Sequence, residues 1–134
     1  MSNRVSYFYL DASLQIGVCQ AFALVRKDVL FPGKPGCLIQ DARIKDEEWL
    51  PIAGQFHWIV IMRDKHIRSR TGEREALMSS GVRAFVLSGA GNYTKWQTLE
   101  LMVRRWGEIE RIATEVPGPY ICGVTQGGVR RLTS

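Results

Sequence analysis

The 134 residues are 46% hydrophobic and contain no long polar or biased tract, which excludes a linker and a repeat array and predicts a single domain over residues 1–134. Eighteen Lys and Arg against 13 Asp and Glu give a net charge of +5, which favours a polyanionic or acidic partner without identifying it. The chain has no apolar run of about 18 residues and no signal-peptide core, so we expect a cytoplasmic protein that does not enter a membrane.

The chain begins with a strand pattern followed by a helix pattern. β-branched and aromatic residues predict a strand over Val5–Leu10, which ends at Asp11. Apolar residues at helical spacing then predict a helix within Ser13–Val25, with Ser13 as its N-cap. The first strand and the first helix are therefore expected to be joined by a very short loop.

The middle of the chain repeats this alternation after a segment without regular structure. Two prolines and two glycines exclude helix and strand from residues 32–36. An acidic first turn predicts a second helix over Asp46–Phe56, with Pro51 in its first turn or at a kink. The apolar run His57–Met62 predicts a second strand in the core.

The second half continues the alternation and ends in a hairpin. Spacing and turn residues predict a helix over Gly72–Gly81, a strand over Val82–Leu87, a long helix over Thr94–Thr114 and two short strands around the Gly127-Gly128 pair. The long helix is expected to bury one apolar stripe, formed by Trp96, Leu99, Met102, Val103, Trp106, Ile109 and Ala113. Alternating strands and helices predict a three-layer α/β/α sandwich with a mostly parallel central sheet.

The cysteines and tryptophans are interpreted as core residues. Three cysteines without metal-ligand or disulfide spacing are expected to be buried thiols. The four tryptophans are expected in the core rather than on a surface that stacks against nucleic-acid bases; they are Trp49, Trp58, Trp96 and Trp106.

Three carboxylates follow strands or precede helices in a way that brings them to one edge of a parallel sheet. Asp11 and Asp64 come directly after strands, and Asp46 begins the second helix. Such acids repel unless they are protonated or bind a cation, and oxygen ligands select Mg²⁺ or Mn²⁺. Each acid also has a structural alternative: Asp11 and Asp46 as helix caps, Asp64 as a turn residue.

Basic residues surround the third acid. Arg63, Lys65 and Arg68 flank Asp64 within the segment "MRDKHIR". Guanidinium and ammonium groups beside a metal site would position the phosphates of a nucleic-acid strand. A solvated loop is the alternative for the same residues.

Four segments together resemble a known family. The succession "FYLDAS", "KDEEWLPIAG", "WIVIMRDKHIR" and "RAFVLSGAGNYT" resembles PIN-like domains related to VapC-type toxins, over most of the chain from about Tyr7 to Leu132. The resemblance implies a Mg²⁺-dependent ribonuclease in which Asp11, Asp46 and Asp64 hold the metal and activate water for phosphodiester cleavage.

This chain departs from the PIN-like pattern at one position, and the resemblance has further implications for substrate and partners. PIN domains often place a fourth acid after a later strand, where this chain has Asn92, so Asn92 is a candidate neutral ligand and either one or two metal ions remain open. The resemblance also implies RNA as substrate, the role of toxin in a type II toxin-antitoxin system, a cognate antitoxin protein, and a homodimer as one candidate state.

Two other functions remain open from the sequence. The absent fourth acid favours a nucleic-acid-binding module of the same fold that does not cleave. A phosphoacceptor receiver domain would use Asp64 as the phosphorylated residue beside Mg²⁺, but it would be expected to have a Lys after its last parallel strand, which "GPYICGV" does not supply.

Overall fold

Strands and helices alternate along most of the chain in the computed structural model, which describes residues 6–63 and 71–132. The strands are β1 (Phe8–Leu10), β2 (Val29–Leu30), β3 (Ile59–Arg63), β4 (Arg83–Leu87), β5 (Tyr120–Thr125) and β6 (Gly128–Arg131). The helices are α1 (Ile16–Val25), α2 (Asp46–Gln55), α3 (Thr71–Ser79) and α4 (Lys95–Glu115).

One sheet contains all six of these strands in the order β2-β1-β3-β4-β5-β6. The first five pair in parallel, and β6 returns antiparallel to β5 across a turn at Gln126 and Gly127. The predicted terminal hairpin and the predicted mostly parallel sheet are therefore confirmed. The sequence prediction missed β2, because a strand of two residues leaves too short an apolar run to distinguish from a loop.

Side chains that alternate along each strand pack against helices on opposite faces of the sheet. On β3, Ile59 and Ile61 join a buried cluster with α1 and α4, whereas Val60 and Met62 join a second cluster with α2 and α3. Because successive strand residues point to opposite faces, this division shows helices covering both sides. The predicted three-layer sandwich is confirmed.

Helix α1 begins later than expected and without the expected cap. Its N-cap residue is Gln15, which makes no side-chain capping bond. The prediction that Ser13 caps this helix was wrong, because the Ser13 hydroxyl instead donates to Asp11 and accepts from the backbone N–H of Arg63. A sequence pattern cannot distinguish a cap from a serine that bonds across to another strand.

Helix α2 begins at Asp46 as predicted and tolerates an internal proline. Pro51 is its sixth residue, beyond the first turn, and removes the amide that would bond to the carbonyl of Glu47. Glu47 is exposed, so water can solvate that carbonyl.

At the end of α3, Gly81 has a φ of 77° and its N–H donates to the carbonyl of Met78 at 3.2 Å, as a helix-closing glycine does.

The long helix α4 follows its predicted range and buries most of its predicted apolar stripe. Thr94 and Gln97 form a reciprocal capping box at its start. The predicted apolar stripe included Trp96 and Val103, yet these are 68% and 61% exposed. The buried face contains the predicted Met102, Trp106, Ile109 and Ala113 together with Thr98 and Leu101, and Trp96 and Val103 lie away from it around the helix.

The three cysteines are free and buried, as predicted. Tryptophans 49, 58 and 106 are also buried, so only the interpretation of Trp96 as a core residue was wrong. No helix within residues 6–63 and 71–132 is long and apolar enough to cross a bilayer.

We expect Gly54→Ala to destabilise the protein because α2 passes very close to the end of α3. A Cβ on Gly54 would lie 1.9 Å from the carbonyl oxygen of Ser80, a backbone atom that cannot rotate away. The free energy of unfolding, measured with urea, should fall by about 1–3 kcal/mol.

The control for this prediction is Gly107→Ala. Gly107 is exposed within α4, and a Cβ there would meet nothing within 4 Å, so the better helix propensity of Ala should raise the free energy of unfolding by roughly 0.5–1 kcal/mol. Equal effects of the two substitutions would contradict the close approach of α2 and α3.

Candidate acidic site at the carboxyl edge of the sheet

The loops that follow β1 and β4 and the start of α2 lie at one edge of the sheet. Parallel strands end together, so their loops converge beyond their carboxyl ends. Asp11 directly follows β1, and α2 runs from Asp46 back toward the start of β3. These elements place Asp11 and Asp46 at the carboxyl edge.

Asp11 is held by the tight loop between β1 and α1. Its side chain is only 2% exposed, its backbone N–H donates to the carbonyl of Ile61 at 3.1 Å, and its carbonyl accepts from Leu14. Oδ1 accepts from the backbone N–H of Ser13 at 3.0 Å and also from the Ser13 hydroxyl. The carboxylate is therefore fixed by its own loop and is almost out of contact with solvent.

Ser13 connects this loop to the end of β3. Its Oγ accepts from the backbone N–H of Arg63 at 2.8 Å, and its carbonyl accepts from Nε of Arg63 at 2.7 Å. With the bond to Asp11, the hydroxyl of Ser13 both donates and accepts. These bonds join the carboxyl ends of β1 and β3 through one buried residue.

Asp46 occupies the first position of α2 and is half-buried. Its Oδ1 accepts from the indole N–H of Trp49 at 3.0 Å. Trp49 is 2% exposed and packs against Tyr9 with the ring centroids 5.0 Å apart. A core tryptophan thus fixes the orientation of the Asp46 carboxylate.

The buried phenol of Tyr9 connects the two acids electrostatically. Tyr9 packs in the cluster that α2 covers, and Asp11 follows it two residues later in the chain. Burial raises the pKa of Tyr9 strongly, and the negative charges of Asp11 and Asp46 raise it further. Within the described part of the chain the hydroxyl has no hydrogen-bond partner. A neutral phenol therefore lies within electrostatic range of both carboxylates.

A cavity of about 300 Å³ is lined by Asp11 and the loop that follows it. Its walls include Ser13, Gln15, Cys19 and Arg63. Burial, with the charge of Asp11, raises the pKa of the Cys19 thiol to about 12, so the thiol stays protonated at neutral pH and contributes an inert wall.

Asn92 lies in the loop that follows β4, on the same edge, and is exposed. The next residue, Tyr93, accepts a hydrogen bond from the side-chain amide of Gln15 at 3.0 Å through its carbonyl. This contact ties the loop of Asn92 to the start of α1, close to the Asp11 loop.

The other predicted site residues fall outside the described residues. They are Asp64, Lys65 and Arg68. In residues 6–63 and 71–132, no group of three or more His, Cys, Asp or Glu side chains is arranged to hold a metal ion. Of the three predicted carboxylates, Asp11 and Asp46 lie within the described residues, and the charge of each acts on the buried phenol of Tyr9.

Sequence reasoning missed two residues that build this site. Tyr9 was assigned only to a strand, although it lies two residues before Asp11 in the sequence. Ser13 was assigned to a helix cap, and no local pattern shows that its hydroxyl bonds to Arg63, 50 residues later.

A larger cavity, of about 650 Å³, lies at the opposite edge of the sheet. Arg83 lines it and donates to the carbonyls of Ala113 at 2.6 Å and His57 at 2.8 Å. These bonds secure the end of α4 to the segment before β3, so Arg83 has a structural role there.

The comparisons with known proteins agree with this architecture. A family model described as a PIN-like domain matches residues 8–89, which is more than half of the 134 residues and includes Asp11, Asp46 and the four strands β1 to β4. Neither a search of curated proteins nor a search of solved structures found a match. PIN domains are generally nucleases, which supports a nuclease type of activity. The chain therefore belongs to the family of PIN-like domains.

Proposed function

We propose that this protein is a Mg²⁺-dependent endoribonuclease that acts as the toxin of a type II toxin-antitoxin system. The observation that supports the nuclease proposal is that Asp11 and Asp46, from separate elements that meet the carboxyl edge, both act electrostatically on the buried phenol of Tyr9. Membership of the PIN-like family supports the same type of chemistry.

The side chains at this edge suit a hard divalent cation. Asp11 and Asp46 offer carboxylate oxygens, which Mg²⁺ and Mn²⁺ prefer. The raised pKa keeps Tyr9 protonated, so its unpartnered hydroxyl can donate to a further oxygen ligand or to water. We propose Asp64, the residue after the end of β3, as the third carboxylate and Asn92 as a neutral ligand.

When bound, the cation would screen the charge that develops on the phosphate and make water a better nucleophile at neutral pH. The chain itself would orient the reacting groups. Ser13 fixes the rotamer of Asp11, and Trp49 fixes that of Asp46, so neither carboxylate must lose conformational freedom on binding. Arg63, anchored to Ser13 through Nε, would hold a phosphate at the same edge, together with Lys65 and Arg68.

A nucleic-acid-binding module without cleavage is the second candidate. The observation in its favour is that residues 6–63 and 71–132 contain no set of three acidic or other ligating side chains arranged around one point. It would use the same positive charge to retain RNA. Cleavage assays with Mg²⁺, and with EDTA as control, separate the two candidates.

We expect Asp46→Asn to slow cleavage strongly without unfolding the protein. The Asn side-chain oxygen can still accept from the indole of Trp49, and Asn suits a helix start about as well as Asp. Losing a charge at the cation should slow cleavage at least about 100-fold, because charge stabilisation of the transition state by a metal is worth several kcal/mol. The rise in Tm that Mg²⁺ produces by binding the native state should also disappear.

The matched control is Glu48→Gln, which removes an exposed acid from the same helical turn. It should keep both activity and the Mg²⁺ shift in Tm. If Asp46→Asn retains full activity, Asp46 does not bind the metal.

Asp46→Ala should additionally cost about 1–3 kcal/mol of stability, because the buried indole N–H of Trp49 loses its acceptor.

Arg63 should contribute both to RNA binding and to stability, and two substitutions separate these roles. Arg63→Ala should lower Tm and reduce the slope of log affinity against log salt by up to about one. Arg63→Lys keeps the charge but loses the Nε bond to the carbonyl of Ser13, so it should lower Tm while keeping most of the slope. Fluorescence anisotropy with labelled RNA at several salt concentrations measures the affinity and its slope against salt. An unchanged slope in Arg63→Ala would restrict the residue to a structural role.

The proposed role as a toxin predicts a small protein partner encoded beside this gene. The support is the resemblance to VapC-type toxins and the net charge of +5, which suits an acidic partner segment. Expression of both genes with a tag on one should co-purify a complex that lacks ribonuclease activity until the partner is removed. A non-toxic product that no adjacent partner binds would contradict the toxin role and leave the nuclease proposal standing.

A further inference from the structure

Trp96 differs from the other tryptophans of the chain in its exposure to solvent. Its side chain is 68% exposed, whereas Trp49, Trp58 and Trp106 are 2%, 4% and 7% exposed. Leaving an indole in water forgoes a large hydrophobic stabilisation. Nothing in the packing of α4 explains why an aromatic residue stands at this position.

The backbone that carries Trp96 is well fixed. It is the second residue of α4, inside the capping box in which Thr94 accepts from the N–H of Gln97 at 3.1 Å and Gln97 accepts from the N–H of Thr94 at 2.9 Å. Thr98, fully buried, also donates to the carbonyl of Thr94 at 3.0 Å. The indole is thus presented to solvent from a rigid helical turn.

This turn lies beside the loop that holds Asp11. The side-chain amide of Gln15 donates to the carbonyl of Tyr93 at 3.0 Å, which joins the segment before α4 to the segment before α1. A Cβ on Gly17 would lie 3.5 Å from Cδ of Lys95, so the aliphatic part of Lys95 lies against the first turn of α1. Trp96 therefore stands next to the carboxyl-edge site.

The chemistry of this surface suits single-stranded RNA better than a protein. An exposed indole next to an exposed ammonium group, on Lys95, matches a base next to its phosphate. The exposed amides of Asn92 and Gln97 flank the pair with polar groups. The cores of protein interfaces are depleted in Lys. The nearest acid along this face of α4 is Glu100, one turn farther from the carboxyl edge.

We propose that Trp96 is a stacking platform for one base of a single-stranded RNA that passes over the carboxyl edge, with Lys95 contacting the adjacent phosphate. This inference rests on the proposed function for the identity of RNA as ligand. It adds a residue that contacts the substrate outside the acidic site. Stacking is tolerant of sequence, so Trp96 would strengthen binding without selecting a particular base.

The test uses the full chain carrying Asp46→Asn, so that RNA is bound but not cleaved. An unstructured 12-nucleotide RNA is titrated while tryptophan fluorescence and, separately, the anisotropy of a labelled RNA are followed. Because the other three tryptophans are buried, quenching by RNA should come from Trp96 and vanish in Trp96→Phe. Trp96→Ala should raise Kd about 5- to 100-fold, and Trp96→Phe should raise it less, because a ring remains for stacking.

The matched control is Val103→Ala, which removes another exposed apolar side chain two turns along the same helix; it should leave Kd unchanged. The competing hypothesis is that a second copy of this chain covers Trp96. Light scattering tests it by measuring the oligomeric state of each variant. An unchanged Kd in Trp96→Ala, or a loss of affinity that accompanies dissociation of a dimer, would overturn the stacking role.

The outcomes also separate this inference from the proposed function. Wild-type protein that binds RNA through Trp96 but never cleaves it would support the stacking platform and contradict the nuclease. Wild-type protein that cleaves RNA with no effect of Trp96→Ala would support the nuclease and overturn the platform. Absence of RNA binding by any variant would overturn both.

Discussion

The hydroxyl of Ser13 is the group on which the arrangement of the carboxyl edge depends. It donates to the carboxylate of Asp11 and accepts from the backbone of Arg63, so the ends of two neighbouring parallel strands share one hydrogen-bonded residue. Arg63 returns a second bond to the carbonyl of Ser13. Buried polar groups of this kind are costly when unpaired and rigid when fully paired. The position of Asp11 relative to β3 is therefore set by the chain before any ligand arrives.

Buried partners also fix the other polar groups at this edge. Asp46 bonds to a core indole, and the phenol of Tyr9 is kept neutral by burial and by the two carboxylates near it. Two acids that both act on one buried phenol favour a positive ligand for electrostatic reasons. Membership of the PIN-like family and these local electrostatics thus point in the same direction.

Periodicity and turn residues predicted the layers, the strands β1, β3 and β4, and the final hairpin, because these features depend on local patterns that repeat along the chain. Features set by contacts between distant segments could not be predicted. Ser13 carries the signal of a helix cap but bonds to a residue on another strand. Trp96 and Val103 fit an apolar stripe but are exposed, and the polar Thr98 lies on the buried face. The amino-acid type alone does not show whether an aromatic residue faces the core or the solvent. Asp46 was predicted correctly as a helix start, whereas its bond to Trp49 required the fold.

The antiparallel β6 influences how copies of this chain could associate. A strand at the margin of a sheet offers unpaired backbone groups to another chain, which is a route to aggregation. Here that margin carries Arg130 and Arg131, both exposed, with the Arg131 guanidinium 5.6 Å from the ring centre of Tyr120. Two copies joined edge to edge through β6 would bring four guanidinium groups together, and their repulsion opposes a continuous intermolecular sheet. The charge on β6 thereby protects this edge of the sheet against pairing with a second copy of the chain.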